Sequence, residues 1–304
     1  MAKKMIVVLG ATATGKTKMA VRLAYELKGE IISADSRQVY KGLDIGTGKD
    51  LKDYLISDNK ISYHLIDIIN PEEEFNVFSF QTGFYQIYND IVQRDFIPIM
   101  VGGTGLYLES VILNYNLPNA PHDLQLRREL NVKSISELQE YLLTLKLNLH
   151  NKTDFEDKER LIRAIEIERA RLRQPGKNYK KPLIDAAVFG IRWERSMLRK
   201  LITARLKKRL EEGLIEEVKS LQSSGLSWAR LDNLGLEYRY VSRYLQNILN
   251  YNEMFDKLNT SIHQFAKRQE TWFRRMERKG IIINWIDGND YFRLKTDINK
   301  FLND

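Results

Sequence analysis

The sequence predicts an α/β fold, a parallel sheet flanked by helices and interrupted by an all-helical insertion domain. Three observations carry this. Short apolar runs rich in Ile and Val each end in a polar or Gly-rich turn followed by helical periodicity. From about Asn114 the texture changes, and residues 122–172 are charged and helical in spacing, without β-rich runs. Strand character then returns at Ala186-Ala187-Val188-Phe189-Gly190-Ile191.

Taken in order, Met5-Ile6-Val7-Val8-Leu9 is too short for a signal peptide and is followed by no small-residue cleavage site, so it reads as the first strand. Met19, Ala20, Leu23, Ala24 and Leu27 recur at helical spacing, with Gly29 placed to cap that helix. Glu30 to Asp35 reads as a second strand. Ligands sit beyond the carboxyl ends of parallel strands, so Asp35-Ser36-Arg37-Gln38 should face the crevice of the first strand's loop. Ile61 to Ile69 is a further apolar stretch, and Phe75 to Val92 reads as a helix. Phe96 to Val101 is a buried-strand run that ends in Gly102-Gly103-Thr104-Gly105, with a helix beginning at Leu106. Leu117-Pro118-Asn119-Ala120-Pro121 and Arg173-Gln174-Pro175-Gly176-Lys177 are breaks. We therefore place the insertion at 115–183 and the core at 1–114 and 184–304. Long helices over 195–212 and 256–279 follow, then a last strand, Ile281 to Trp285.

Composition narrows the chemistry. The chain has 304 residues, 43% hydrophobic and 29% charged, which is globular composition. It has no Cys, which excludes disulfides and thiolate metal sites, and its four His are scattered, which argues against an all-His zinc site. No apolar run reaches the roughly 18 residues of a membrane span, so no membrane role is expected and the cytoplasm is the default. With 48 Lys and Arg against 40 Asp and Glu, the net charge of +8 is compatible with a polyanionic partner without establishing one.

Gly10-Ala11-Thr12-Ala13-Thr14-Gly15-Lys16-Thr17 fits G-x-x-x-x-G-K-[ST] in its required strand–turn–helix setting. The core is thus read as a P-loop NTPase-like sheet. Backbone N–H groups and a helix N-terminus converge on phosphate oxygens, Lys16 adds a point charge, and the Thr17 hydroxyl can hold Mg²⁺. The motif does not say which molecule carries the phosphates. Basic helices add a second theme. Arg160 and Arg163 share a face, Arg199, Lys200, Arg205, Lys207, Lys208 and Arg209 crowd one helix, and Ala266 to Arg275 interleaves cations with Trp272 and Phe273. That last mixture suits phosphate contact with base stacking, and equally an amphipathic helix with its aromatics in the core.

Together these motifs resemble the tRNA dimethylallyltransferases. The matching stretches are Gly10–Thr17, Ile32–Thr47, His64-Leu65-Ile66-Asp67, Pro98–Leu108, Glu212–Val218, Ala266-Lys267-Arg268-Gln269 and Thr271–Arg275, in the family's order and spanning nearly the whole chain. The resemblance implies transfer of a dimethylallyl group from dimethylallyl diphosphate to the N6 amine of the adenosine 3′ to a tRNA anticodon, with diphosphate released and Mg²⁺ as cofactor. It implies a diphosphate cradle of Gly10 to Thr17 with Arg205, a base at Asp35 and a channel residue at Thr104. Asp35, Ser36, Arg37, Gln38 and Thr104 would meet the flipped target base. Arg127, Glu159, Arg160 and Arg163 would meet the anticodon stem-loop. A monomer is expected.

Against the family pattern, Ala11 stands for Pro and Thr14 for Ser, both small and compatible with the loop. Gly48 and Asp50 replace the usual Ala and Pro, and Leu236 replaces a common Tyr. Ile262-His263 replaces Thr-Arg, removing a fixed positive charge that His263 could replace only when protonated. Read on the residues alone, the same loop would serve a small-molecule kinase or NTPase that binds ATP. It would also serve a prenyltransferase for free adenine nucleotides, although the insertion and the Trp272-Phe273 helix argue against the latter.

Overall fold

In the computed structural model, which describes residues 3–145, 156–173 and 181–303, the first strand, β1 (Lys3–Gly10), is central and buries every residue from Met5 onward. It is parallel to β6 (Ile97–Gly102) on one side and β7 (Ile184–Arg192) on the other. Both faces of such a strand are covered, which is why it reads as an unbroken apolar run. With β2 (Gly29–Ala34), β5 (Tyr63–His64) and β8 (Ile283–Asp287), the sheet has the order β5-β2-β6-β1-β7-β8, with every pairing parallel. Alternate residues of β1 feed opposite layers. Met5, Val7 and Leu9 pack with α2 (Val77–Gln93) and α3 (Gly105–Ile112), while Ile6 and Val8 pack with α1 (Lys16–Leu27) and α12 (Tyr291–Asn303).

Several boundaries differ from the expected ones. Helix α1 ends at Lys28, which takes the left-handed conformation (φ 58). Gly29 belongs to β2, where a Cβ would meet Ile99 Cδ1 at 2.8 Å and Ile97 O at 2.9 Å. The Ile61–Ile69 stretch contributes only Tyr63–His64 to the sheet, because positive φ at Leu65 (60) and Asp67 (55) turns the chain away. A short hairpin, β3 (Leu55–Ile56) and β4 (Asn59–Lys60), precedes it. Helix α2 starts after Asn76, whose side chain accepts from the N–H groups of Phe78 and Ser79.

Beyond β7 come α7 (Arg195–Glu211), α8 (Leu214–Ser223), α9 (Trp228–Asn233), α10 (Leu236–Leu245) and α11 (Tyr251–Arg278). Helix α11 begins earlier than residue 256 because Asn250 and Glu253 form a capping box. These helices bury Leu206, Val218, Leu234, Tyr238 and Ile262 against Val39, Tyr40 and Leu43, beyond the end of β2. Trp272 and Phe273 resolve the two readings of the cationic helix. Phe273 is core, and half-buried Trp272 donates from Nε1 to the buried carboxylate of Glu109 (2.6 Å).

The chain divides into two compact units, Met1–Asn114 with Lys181–Asp304, and Tyr115–Lys180. In the second, α4 (Leu124–Asn131), α5 (Ile135–Leu145) and α6 (Lys158–Arg173) share a core that includes Leu130, Leu138, Leu161, Ile162 and Ile165. The break expected at 173–177 lies outside the described residues after Arg173. In the first unit, Asn114 Oδ1 accepts from the Tyr85 hydroxyl (3.2 Å) and Lys181 Nζ lies 5.9 Å from the centroid of the same ring. Among the described residues, no helix is long and apolar enough to cross a membrane.

A phosphate-binding loop and two cavities that share Asp35

The loop between β1 and α1 turns through positive φ at Ala13 (65) and Gly15 (82). It is fixed from within and from outside. Thr14 Oγ1 donates to Ala11 O (2.9 Å), Lys16 Nζ donates to the same carbonyl (3.2 Å), and Trp193 Nε1 donates to Thr14 O (3.2 Å). Buried Gln269 of α11 accepts from Thr12 N (2.8 Å) and donates to Gly103 O (2.9 Å), joining this loop to the glycine turn after β6.

Three cations converge here. Arg205 and Arg209 lie one turn apart on α7 and point the same way. Burial and the Arg205 charge push Lys16 down to about 8, and burial and Arg209 push Arg205 down to about 10. Burial leaves both cations poorly solvated, a cost that an anion bound in the loop would offset. Arg205 reaches Thr12 Oγ1 and Asp50 Oδ2, each at 3.4 Å. Arg209 donates to Gly46 O and Glu237 Oε1, each at 3.1 Å. Gly48 (φ 63) sits where any Cβ would overlap both guanidinium groups, so glycine at this position leaves room for the pair.

The segment Asp44–Gly46 is pinned by Glu217 of α8, whose carboxylate accepts from Asp44 N, Ile45 N and Gly46 N and from the Tyr238 hydroxyl. Lys49, fully buried, donates to Tyr40 O and pairs with Asp44 and Asp67.

At the end of β2, Asp35 Oδ1 accepts from Arg37 N (2.8 Å) and Gln38 N (3.4 Å), which orients the carboxylate in a turn rather than at a helix start. Thr104 Oγ1 accepts from Ser36 N (3.1 Å), and Gln38 bridges Ser33 Oγ and Gly48 O. Two cavities open on these residues. One, of about 270 Å³, is lined by Lys16, Thr17, Gln38, Arg205 and Gln269 among others. The other, of about 330 Å³, is lined by Ser36, Arg37, Thr104, Leu236, Glu237 and Arg268 among others. Both are lined by Thr12, Asp35, Thr47 and Phe265. Burial raises the Glu237 carboxyl above the usual range, against the opposing charge of Arg209.

The structure thus gathers the expected loop residues, Asp35 to Gln38, Thr104 and Arg205 around one crevice. Gly10, Ala11 and Thr14 shape the loop from beneath, where they are buried. Arg127, Glu159, Arg160 and Arg163 lie in the second unit. There Arg127 forks onto the buried Glu166 carboxylate (2.8 and 3.0 Å) and also meets Glu159 (3.3 Å). Arg163 binds Glu166 (2.9 Å) and Ala120 O (2.8 Å). Burial alone would raise Glu166, but these hydrogen bonds hold it at about 2. Arg127 and Arg163 thus have partners within the unit's own fold, and Arg160 is exposed at the surface of α6. His263 does not restore the lost arginine's charge, since burial and nearby Arg199 lower its pKa. Sequence reasoning missed Glu217, Glu237, Lys49 and Phe265. For Phe265 a signal existed, since it stands one helical turn before Gln269.

A family model described as IPP transferase matches residues 38–276, and one described as isopentenyl transferase matches residues 3–70. The chain is 53% identical over 299 residues to tRNA dimethylallyltransferase 1 of Syntrophus aciditrophicus, covering 98% of each. It is 52% identical to the protein of the same name in Geotalea uraniireducens, over 95% of this chain and 94% of the relative. Among solved structures, the tRNA isopentenylpyrophosphate transferase of Bacillus halodurans aligns with TM-score 0.70 and 32% identity over 98% of this chain and 95% of its own. The similarity thus runs through both the loop and the late helices that build the two cavities, and the chain belongs to the tRNA dimethylallyltransferase family.

Proposed function

We propose that this chain transfers a dimethylallyl group from dimethylallyl diphosphate to the N6 amine of the adenosine 3′ to the anticodon of tRNA. The observation that carries this reading is the position of Asp35, which lines both cavities. The first cavity has the chemistry for a diphosphate: the Gly10–Thr17 loop, Lys16 and Arg205. The second suits a base turned out of its stack, with Arg37, Thr104 and Arg268 at its walls. A carboxylate on the boundary can take the proton that the amine sheds as its nitrogen joins the allylic carbon.

The oxygen donors of the first cavity, the Thr17 hydroxyl with the carboxylates of Asp50 and Asp53, fit Mg²⁺ carried in with the diphosphate, and Asp35 stays free to act as base. Bound there, the ion would offset charge on the leaving diphosphate. Lys16 and Arg205 meet the same oxygens, and the loop amides orient them. Thr104 holds the Ser36 amide, so the turn that aims Asp35 stays fixed. Arg160, exposed on α6, would meet a phosphate of the stem-loop, with Arg127, Glu159 and Arg163 of the same unit near it in this reading. The working form in this reading is a monomer, acting in the cytoplasm with its tRNA.

The test is incubation with dimethylallyl diphosphate, Mg²⁺ and bulk unmodified tRNA, followed by digestion to nucleosides. A prenylated adenosine is expected. Tight ATP binding, with no prenyl transfer to any tRNA, would overturn the reading.

A further inference from the structure

Helix α11 lays one face along both cavities. Ile262 lines the second, Phe265 lines both, and Gln269 lines the first, at helical spacings of three and four residues. The surface is therefore apolar at one end and polar where it meets the phosphate loop. Four residues belong to both cavities, and of these Thr12, Asp35 and Thr47 are polar while Phe265 alone is apolar. The residue is 38% exposed, although the same face of α11 buries Ile262 and Ala266. Arg268, which lines the second cavity, stands with its guanidinium 5.9 Å from the ring centroid.

An exposed phenylalanine beside a carboxylate and two hydroxyls calls for a chemical reason. On the function proposed above, the junction of the cavities is where the allylic carbon passes from oxygen to nitrogen. The C–O bond breaks with its electron pair going to diphosphate, the C–N bond forms from the amine lone pair, and the amine proton goes to Asp35. Water competes for the same carbon. Its attack would break the same C–O bond, release diphosphate, lose a proton to solvent and leave the allylic alcohol. Thr12, Thr47 and Asp35 all attract water to that point.

We propose that Phe265 is the water shield of the reaction centre: its ring covers the open side of the junction and keeps the allylic carbon for the amine. This rests on the transferase reading, and it assigns the residue to product partition rather than to substrate affinity.

The experiment compares the wild type, Phe265→Ala and Phe265→Leu. Each is incubated with dimethylallyl diphosphate labelled at the reacting carbon, Mg²⁺ and unmodified tRNA, and labelled alcohol and labelled tRNA are counted. Thermal melts accompany the assay, and the exposure of the ring means that all three proteins should melt together. Phe265→Ala should raise the ratio of alcohol to prenylated tRNA by about tenfold or more, while Phe265→Leu, which keeps an apolar cover, should stay near the wild type. A ratio that rises equally in both variants, or in neither, overturns the proposal. If the wild type itself prenylates no tRNA, the transferase reading beneath it fails instead.

Discussion

The backbone N–H of Thr12 donates to Gln269 Oε1 at 2.8 Å, across 257 residues of sequence. The other end of that amide donates to Gly103 O. One buried side chain therefore sets the spacing between the phosphate loop and the turn that carries Thr104. Gln269→Ala should leave a donor and an acceptor unpaired, costing about 1–3 kcal/mol in stability. Gln269→Glu should retain the Thr12 contact but face Gly103 O with an acceptor. Both should raise KM for dimethylallyl diphosphate. A lower melting temperature with unaltered KM and kcat would make the residue merely structural.

Asp35→Asn is the cleanest probe of the proposed base. Oδ1 still accepts from Arg37 N, so the turn survives, but the side chain no longer takes a proton. We expect kcat to fall by roughly 10²–10⁴-fold while tRNA affinity and melting temperature hold. Loss of tRNA binding in this variant would assign Asp35 a docking role.

The low pKa of Lys16, about 8, sets a pH dependence for donor binding. The free enzyme loses this charge as pH rises through about 8, whereas the diphosphate complex favours the protonated form. Affinity for dimethylallyl diphosphate should therefore fall above pH 8, approaching tenfold per unit, and binding there should take up a proton. Calorimetry in buffers of different ionisation enthalpy measures that uptake. Lys16→Ala should bind the donor more weakly and lose this component of the pH dependence.

Gly48→Ala should displace the Arg205 and Arg209 guanidinium groups and strain a backbone at φ 63. The expected result is a rise in KM for the donor with a stability loss of about 1–3 kcal/mol. Titration of the variant with inorganic diphosphate reports the first, and a melt reports the second.

In the second unit, Glu166 sits at about 2 when folded, below the ordinary value of 4.5. Its contribution to stability is present above pH 4.5 and is lost as pH falls toward 2, on the order of 3 kcal/mol in all. Glu166→Gln should remove much of that acid sensitivity, read from circular dichroism against pH, and lower stability at neutral pH. Arg160→Ala, by contrast, should leave folding alone, weaken tRNA binding and reduce the slope of log affinity against log salt by about one.

The phosphate loop and the strands around it were legible because a parallel strand covered on both faces needs an apolar run, and a phosphate cradle needs its glycines and lysine at fixed spacing. The crevice position of Asp35 followed from its place at the end of β2. Positions set by single backbone angles were not legible. Lys28 takes the left-handed angle assigned to Gly29, because Gly29 is needed for the close approach of β6. Nor were the second cavity and its Glu217 and Glu237 supports, since those depend on how α7, α8, α10 and α11 pack beyond the sheet. Arg127 and Arg163 carry a related lesson. A cation at a family position also has a local partner, and only the packing around Glu166 reveals it.

Asn114 accepts from the Tyr85 hydroxyl and Lys181 Nζ stands over the same ring, so the excursion that holds α4, α5 and α6 leaves and rejoins the first unit beside one side chain. Closing a chain between two such neighbours costs entropy that grows only logarithmically with the length of the detour. The helical unit can thus be lengthened, shortened or exchanged like a cassette with little penalty to the body it leaves and rejoins.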